Sequence, residues 1–190
     1  MKQSPPPSTI LGPAGRRLDP EELRRRRPLS SELEDLPRRP LVAVLENIRS
    51  LWNVGSVFRS ADAVRLEQIH LCGFTGHPPR PEIEKTALGA TETVPWSYWS
   101  RSTDALGYLR ESGYQILALE LTTRSRPLDE IDLRSPVALV VGNELGGVSD
   151  EALALCDAAM EIPMDGVKES LNVSVAFGVA AFALAARMEI

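Results

Sequence analysis

Apolar runs alternate with amphipathic segments along the chain from residue 40 onward. The first run, PLVAVL, is continuous and rich in β-branched residues, which is typical of a strand buried on both faces. The next segment, NVGSVFRSADAV, has apolar residues at helical spacing: Val54, Val57, Phe58, Ala61 and Val64. This part of the sequence therefore predicts a strand followed by a helix.

The same alternation continues to the C-terminus. Apolar runs within EQIHLCGF, YQILALEL, VALVVG and AMEIPM predict four more strands. The segments EIEKTALGA, STDALGYLRESG and SDEALALC predict helices, the last with Ser149 as its N-cap, and a final helix is predicted from about Ser170 to Arg187. Strands that alternate with helices form a mostly parallel sheet with helices on both faces. The sequence thus predicts an open α/β fold for residues 39–190.

The first 38 residues differ from the rest. The opening MKQSPPPSTILG is rich in Pro and Ser and is expected to be disordered, and residues 19–36 predict one or two short helices broken at Pro28. Residues 1–40 hold nine Lys and Arg against six Asp and Glu, whereas the remainder holds 12 against 20. Residues 1–38 are therefore predicted to be a flexible, basic arm. The run Arg24 to Arg27 fits either a solvated tail or a segment that binds nucleic-acid phosphates.

The composition limits the classes of protein that fit this sequence. A chain of 190 residues with 43% apolar content suits one α/β core, and its acidic body argues against a general nucleic-acid coat. Cys72 and Cys156 lie in apolar segments without metal-ligand spacing, so we expect free thiols in a reducing cytoplasm and no metal site. No signal peptide or membrane span is predicted.

The predicted last helix has apolar residues almost all the way round, at positions that include Leu171, Val175, Val179 and Phe182. A helix without a polar stripe is covered by the chain's own sheet or by a second subunit. For a domain of this size, the pattern favours a subunit interface.

Three segments that follow predicted strands carry polar residues and glycine: ENIRSLWNVG, VVGNELGGVSDE and IPMDGVKESLNVS. Ligands of open parallel sheets bind at such strand ends. Each segment alone also has a purely structural interpretation: GNELGG as a tight turn, Ser170 as a helix cap and Arg59 as a surface residue. GNELGG lacks the lysine of a P-loop and the spacing of a dinucleotide fingerprint.

Taken together and in order, these segments resemble a known family. NVGSVFRSADA, VGNELGGVSDEAL and IPMDGVKESLNVSVAFGVAAFAL look like the three motifs of the SpoU (TrmH-type) RNA 2′-O-ribose methyltransferases of the SPOUT superfamily, and KTALGATETVPW resembles the segment between the first two. The resemblance covers about residues 40–190. Three motifs in the right order are far more specific than one.

The resemblance implies a C-terminal deep trefoil knot that binds S-adenosylmethionine, and a homodimer with the last helix in its interface. Carried over position by position, the cofactor-binding residues are Leu119, Glu120, Gly142, Asn143, Glu144, Gly146, Ile162, Met164, Leu171 and Asn172. Gly146 and Gly147 are expected to let the backbone approach the ligand.

The resemblance also implies a catalytic set that acts on a tRNA or rRNA substrate: Arg59, Asn53, Glu144, Ser170 and Asn172. Gly55 is expected to leave room for the substrate backbone. Methyl transfer to a 2′-hydroxyl needs in-line attack and loss of a proton. Because a guanidinium is a poor base, Arg59 is either a base activated by a phosphate or a carboxylate, or a phosphate clamp that aligns the ribose.

Two alternatives to this enzyme come from other classes. One is a noncatalytic RNA-binding or assembly protein on the same scaffold, which would not need all five catalytic positions. The other is a dinucleotide-dependent oxidoreductase, which fits the α/β alternation but lacks the fingerprint glycines. The sequence leaves open which RNA and which nucleotide are modified.

Overall fold

Seven strands form one sheet in the computed structural model, which describes residues 14–29, 32–33 and 35–189. The strands are β1 Arg39–Glu46, β2 Leu66–Cys72, β3 Trp96–Trp99, β4 Gln115–Leu119, β5 Arg126–Pro127, β6 Val137–Val141 and β7 Ala158–Glu161. Their order across the sheet is β3-β2-β1-β6-β4-β7-β5, and each neighbouring pair within the described residues is parallel. The predicted parallel sheet is confirmed.

Helices cover both faces of this sheet. After a first helix α1 at Pro20–Arg25, they are α2 Leu51–Ala63, α3 Pro81–Ala87, α4 Ala90–Thr93, α5 Ser102–Glu111, α6 Asp150–Leu153 and α7 Val173–Ala185. Side chains of α2, α3, α4 and α7 belong to one buried cluster, and those of α5 and α6 belong to a second. In β1, Leu41, Ala43 and Leu45 face the first cluster whereas Val42 and Val44 face the second, which explains the continuous apolar run.

The two outer strands of the sheet were missed by the periodicity. β3 has the sequence WSYW and β5 has two residues, and both are edge strands with partly exposed side chains. A short run of aromatic and polar residues does not alternate clearly, because an edge strand is only partly buried. The predicted helix at EIEKTALGA is interrupted by Leu88 and Gly89, which have positive φ.

The helices α2 and α7 lie side by side with their N-termini at the same edge of the sheet. Near their starts, Nδ2 of Asn172 donates to Oδ1 of Asn53 at 3.1 Å. Farther along, a Cβ placed at Gly178 would lie 3.6 Å from Oγ of Ser60. The helix predicted from Ser170 begins instead at Val173, because the side chain of Asn172 caps it.

The chain divides into two units, Met1–Leu36 and Pro37–Ile190. In the first, Asp19 and Glu22 form a capping box that starts α1, which ends at Arg25, before the break predicted at Pro28. The disorder predicted for residues 1–12 concerns positions outside the described residues. Across the described part of the chain, no helix has both the length and the apolar character of a membrane span.

Candidate active site

A cavity of about 310 Å³ lies at the C-terminal ends of β4, β6 and β7. Its walls come from residues 119–121, 141–145, 147, 160–162, 164, 169–173 and 176. Strand ends leave backbone and side-chain groups free at this edge, where open α/β sheets bind ligands. The volume is that of a pocket for a small organic molecule.

The cavity gathers most of the predicted cofactor positions. Those that line it are Leu119, Glu120, Gly142, Asn143, Glu144, Ile162, Met164, Leu171 and Asn172. Gly146 does not line it, although its neighbour Gly147 does. The amide of Gly146 instead donates to Oδ1 of Asn143 at 3.0 Å. The structure therefore brings together residues that are up to 53 positions apart in the sequence, from Leu119 to Asn172.

The charge of the cavity wall is one-sided. Four glutamates line it, Glu120, Glu144, Glu161 and Glu169, and within the described residues no lysine or arginine does. Oε2 of Glu120 accepts from the amide of Val148 at 2.9 Å, which leaves this carboxylate fixed at the wall. A wall of this sign attracts a cationic ligand and repels a phosphate group.

The turn after β6 is closed by its own backbone. Asn143 and Gly147 exchange two hydrogen bonds, at 3.0 and 2.9 Å. A Cβ at Gly142 would lie 2.1 Å from the carbonyl carbon of Gly147, so only glycine fits there. Gly147 has a φ of 68°, and a Cβ on it would meet the carboxylate of Glu120. GNELGG is thus a tight turn as well as part of the cavity wall.

A chain of hydrogen bonds links this turn to the starts of α2 and α7. Nδ2 of Asn53 donates to Oε1 of Glu144 at 2.8 Å, and Oδ1 of Asn53 accepts from Nδ2 of Asn172 at 3.1 Å. The carboxylate of Glu144 also accepts from the backbone amides of Arg49 and Ser50, at 2.9 and 3.0 Å. Asn53, from the first predicted motif, therefore contacts one residue from each of the other two motifs, and both of those residues line the cavity.

These contacts fix the ionisation of Glu144. Partial burial by itself would raise the pKa of its carboxyl group, but the bonds from the Arg49 and Ser50 amides and the Asn53 side chain outweigh it, so the pKa lies below its usual value. The contribution of this carboxylate to stability is present above the pKa of an unfolded glutamate and is lost as the pH falls through the folded value. At neutral pH Glu144 is an anion that holds neighbouring groups in place.

Ser170 and Asn172 occupy different positions in the third segment. Oδ1 of Asn172 caps α7 by accepting from the amides of Ser174 and Val175. Its other polar atom, Nδ2, points to Asn53. Ser170 lines the cavity and is exposed. The cap assigned to Ser170 as a structural alternative belongs to Asn172, which leaves the Ser170 hydroxyl available to a ligand.

The family model of the SpoU rRNA methylases matches residues 40–182. This protein belongs to the SpoU rRNA methylase family. The resemblance predicted from the three motifs is confirmed.

Individual SpoU relatives agree with this assignment. The tRNA (guanosine(18)-2′-O)-methyltransferase of Thermus thermophilus is 36% identical over 169 residues, which cover 89% of this chain and 80% of that enzyme. A 23S rRNA (guanosine-2′-O-)-methyltransferase of Nitrosomonas europaea is 34% identical, and the match covers 85% of this chain and 62% of that enzyme.

Solved structures of RNA-modifying enzymes share the fold. The TrmH/SpoU tRNA-modifying enzyme of A. aeolicus has a TM-score of 0.76 at 29% identity, with 88% of this chain and 82% of that chain covered. The AdoMet-bound rRNA methyltransferase of Sinorhizobium meliloti has a TM-score of 0.73 at 31% identity, and the match covers 82% of this chain but 59% of that one.

Arg59, the SpoU motif arginine, lies apart from the cavity. It is six residues beyond Asn53 on α2, which is about 9 Å along a helix that runs away from the cavity edge. Its side chain is exposed, does not line the cavity, and has no hydrogen-bond or ion-pair partner within the described residues. The other four predicted catalytic residues do lie together at the cavity edge.

Gly55 has a different role from the one expected. It is buried against α3, and a Cβ there would lie 2.1 Å from Oγ1 of Thr86 and 2.2 Å from the carbonyl oxygen of Ile83. The expectation that Gly55 leaves room for a substrate is therefore wrong: it lets α2 and α3 approach each other.

Sequence reasoning missed part of the cavity wall. Glu161 is the last residue of β7, and Glu169 lies within the third motif. The rule that ligands bind at strand ends would have identified Glu161, since the AMEIPM strand was predicted. Nothing in the spacing of Glu169 separates it from a solvated loop residue.

Two titratable side chains of β2, His70 and Cys72, are buried. Burial lowers the pKa of His70 to about 4, and the indole N–H of Trp99 donates to its Nδ1 at 2.9 Å. Burial also raises the pKa of the Cys72 thiol to about 12. Among the described residues, no group of three or more His, Cys, Asp and Glu side chains is arranged to hold a metal ion.

Proposed function

We propose that this protein transfers a methyl group from S-adenosylmethionine to the 2′-hydroxyl of an RNA ribose. The observation that carries the proposal is the acidic cavity, whose wall includes nine of the ten positions that the motifs assign to the cofactor. The Thermus and Nitrosomonas relatives are named as RNA guanosine 2′-O-methyltransferases. The Sinorhizobium relative was solved with AdoMet bound.

The wall suits S-adenosylmethionine better than a dinucleotide. Leu119, Met160, Ile162 and Ala176 offer apolar surface for an aromatic base, and the glutamates offer negative charge to a sulfonium and an ammonium group. A dinucleotide carries a pyrophosphate, which this wall repels because it has no cationic side chain among the described residues. The charge thus favours methyl transfer over the oxidoreductase alternative.

When bound, S-adenosylmethionine supplies the methyl group. The chain's own residues hold the acceptor. Glu144 fixes Asn53, and Asn53 fixes the amide of Asn172, so the polar groups at the cavity edge are set before the substrate arrives. Ser170 offers a hydroxyl to the substrate or cofactor.

The proton of the 2′-hydroxyl needs an acceptor as the oxygen attacks. Glu144 is a poor one, because its pKa is lowered and its oxygens already accept three hydrogen bonds. In this proposal Arg59 acts on the substrate, either as a base that a phosphate or a carboxylate activates, or as a phosphate clamp, in which case the proton passes to solvent water. Its exposed, unpaired guanidinium supports contact with RNA.

The knot and the dimer are also part of this proposal. The loops after β6 and β7 line one cavity, which supports a knotted segment as in the SPOUT proteins. The outward face of α7 exposes Val175, Val179 and Phe182 by 51%, 44% and 54%, and an apolar stripe of this kind supports a homodimer through α7.

Residues 1–38 are proposed to add phosphate contacts, since Arg24, Arg26 and Arg27 are exposed. Arg25, by contrast, is paired with Glu21.

The free thiols of Cys72 and Cys156 support a cytoplasmic location.

Two measurements test the proposal. Calorimetric titration should give binding of S-adenosylmethionine and not of NAD, and incubation with methyl-labelled S-adenosylmethionine should transfer label to tRNA or rRNA. Label transfer excludes the noncatalytic alternative. RNA binding without label transfer on any tRNA or rRNA would support a binding or assembly protein instead.

A further inference from the structure

Trp52 is a large apolar side chain left exposed beside the candidate active site. It lies in the first turn of α2, next to Asn53, and is 45% exposed. Its neighbour Asn53 contacts both Glu144 and Asn172 at the cavity edge. Trp52 is therefore the residue next to the one that joins the three motifs, and the chemistry described above leaves its indole without a role.

A lysine accompanies this indole. Nζ of Lys85, on α3, is 5.2 Å from the centroid of the Trp52 ring, within cation–π distance. The two helices that carry this pair are in direct contact: Oγ1 of Thr86 donates to the carbonyl oxygen of Trp52 at 3.0 Å, and Gly55 lets the helices approach. The helix contact thus sets the distance between the two backbone positions that carry the ring and the ammonium group.

The outward face of α2 extends from Trp52 toward the C-terminal end of the helix. Trp52, Ser56 and Arg59 follow the spacing i, i+4 and i+7, so they lie in one row. Trp52 and Arg59 are exposed and about 10 Å apart along the helix. The exposed surface here therefore offers an aromatic ring in the first turn of α2, with the ammonium group of Lys85 beside it and the guanidinium of Arg59 farther along the helix. This combination binds unpaired nucleotides, because a base stacks on the ring while phosphates contact the charges.

We infer that Trp52 is a stacking surface for an unpaired base at or next to the methylated nucleotide, with Lys85 beside the same strand. The inference rests on the proposed function and specifies its substrate. In a duplex both faces of a base are covered by neighbouring pairs, whereas a base in a loop or flipped out of the stack exposes a face to the indole. The enzyme therefore takes a nucleotide in a single-stranded region.

The test is RNA binding by Trp52 variants. The probe is a short, mixed-sequence, fluorescein-labelled RNA single strand, alone and annealed to its complement, and the readout is fluorescence anisotropy. Trp52→Ala should bind the single strand ~5- to ~150-fold more weakly than wild type, the range measured for loss of one aromatic stacking partner. Trp52→Phe should retain most of the affinity because it keeps a ring, and the duplex should bind more weakly than the single strand.

A matched control and a direct probe of the ring complete the design. Tyr108, on α5 at the other face of the sheet, is 53% exposed, and Tyr108→Ala should leave RNA binding unchanged. RNA should quench tryptophan fluorescence in wild type but not in Trp52→Phe. Affinity for S-adenosylmethionine in each variant verifies that the site is folded.

Two results would overturn the inference: single-strand affinity of Trp52→Ala within twofold of wild type, or RNA-dependent quenching that persists in Trp52→Phe. The proposed function is measured separately, by methyl transfer. A wild-type protein that transfers no methyl group but binds RNA in a Trp52-dependent way would contradict that function and still support the stacking surface.

Discussion

Nδ2 of Asn53 donates a hydrogen bond to Oε1 of Glu144 at 2.8 Å and so joins the first turn of α2 to the turn after β6. The two residues are 91 positions apart in the sequence. Because Asn53 also contacts Asn172, it connects all three SpoU motifs. Asn53 therefore has a structural reason to be an asparagine: it donates to one partner and accepts from another.

Replacing Asn53 should separate these two contacts. Asn53→Ala removes both, and we expect kcat to fall by ~10- to ~100-fold, since the groups at the cavity edge lose their alignment. Asn53→Asp keeps an acceptor for Asn172 but places a second carboxylate against Glu144, so kcat should fall further. Steady-state kinetics on both variants provide the measurement. An Asn53→Asp enzyme more active than Asn53→Ala would contradict this account of the contact.

Gly55 tests the close approach of α2 and α3. Gly55→Ala should destabilise the protein by ~1–3 kcal/mol, because a Cβ there collides with the backbone of Ile83 as well as with Thr86. Gly107 on α5 is a matched control, since a Cβ there meets nothing within 4 Å. Gly107→Ala should stabilise by ~0.5–1 kcal/mol. Urea denaturation compares the two, and a Gly55→Ala protein as stable as wild type would show that the helices are free to separate.

Arg59→Ala should lower turnover by at least ~100-fold while the affinity for S-adenosylmethionine stays unchanged, because Arg59 lies outside the cofactor cavity. Arg59→Lys tests the clamp: a clamp that needs mainly positive charge should keep most of the turnover, whereas a role that needs the forked guanidinium should lose it. Arg101→Ala is the control: Arg101 is exposed at the start of α5, and its loss should leave turnover unchanged. Normal turnover in Arg59→Ala would remove this residue from the reaction.

The exposed stripe of α7 should mediate dimer formation. Phe182→Asp places a charge in that stripe and should release monomers, whereas Tyr108→Asp, at a similarly exposed aromatic residue on α5, should not. Sedimentation at micromolar concentration measures both. Wild-type protein that sediments as a monomer would contradict the proposed interface.

Most of the central sheet was predictable because its strands are buried on both faces. The run Leu41–Leu45 has no polar interruption, and the run VALVVG behaves in the same way. The edge strands β3 and β5 were not predictable, because partial exposure leaves no consistent pattern. The start of α7 was placed three residues early because Ser170 and Asn172 are both good caps and the sequence does not rank them.

The candidate site was predictable as a set of residues but not as a geometry. The motif order identified Asn53, Glu144 and Asn172, and the structure brings these three together. The motif order could not indicate that Gly55 faces α3 or that Arg59 lies along the helix away from the cavity. Both positions depend on how α2 is rotated over the sheet. The acidic character of the cavity also appears only when four separate segments are assembled.

The central claim is the position of the transferred methyl group. The direct measurement is nucleoside mass spectrometry of RNA incubated with the protein and S-adenosylmethionine that carries a deuterated methyl group, with Asn53→Ala and heat-inactivated protein in parallel. The account predicts labelled 2′-O-methyl nucleosides with wild type and far fewer with Asn53→Ala. Label on the bases alone, or no label in any RNA although S-adenosylmethionine binds, would contradict it.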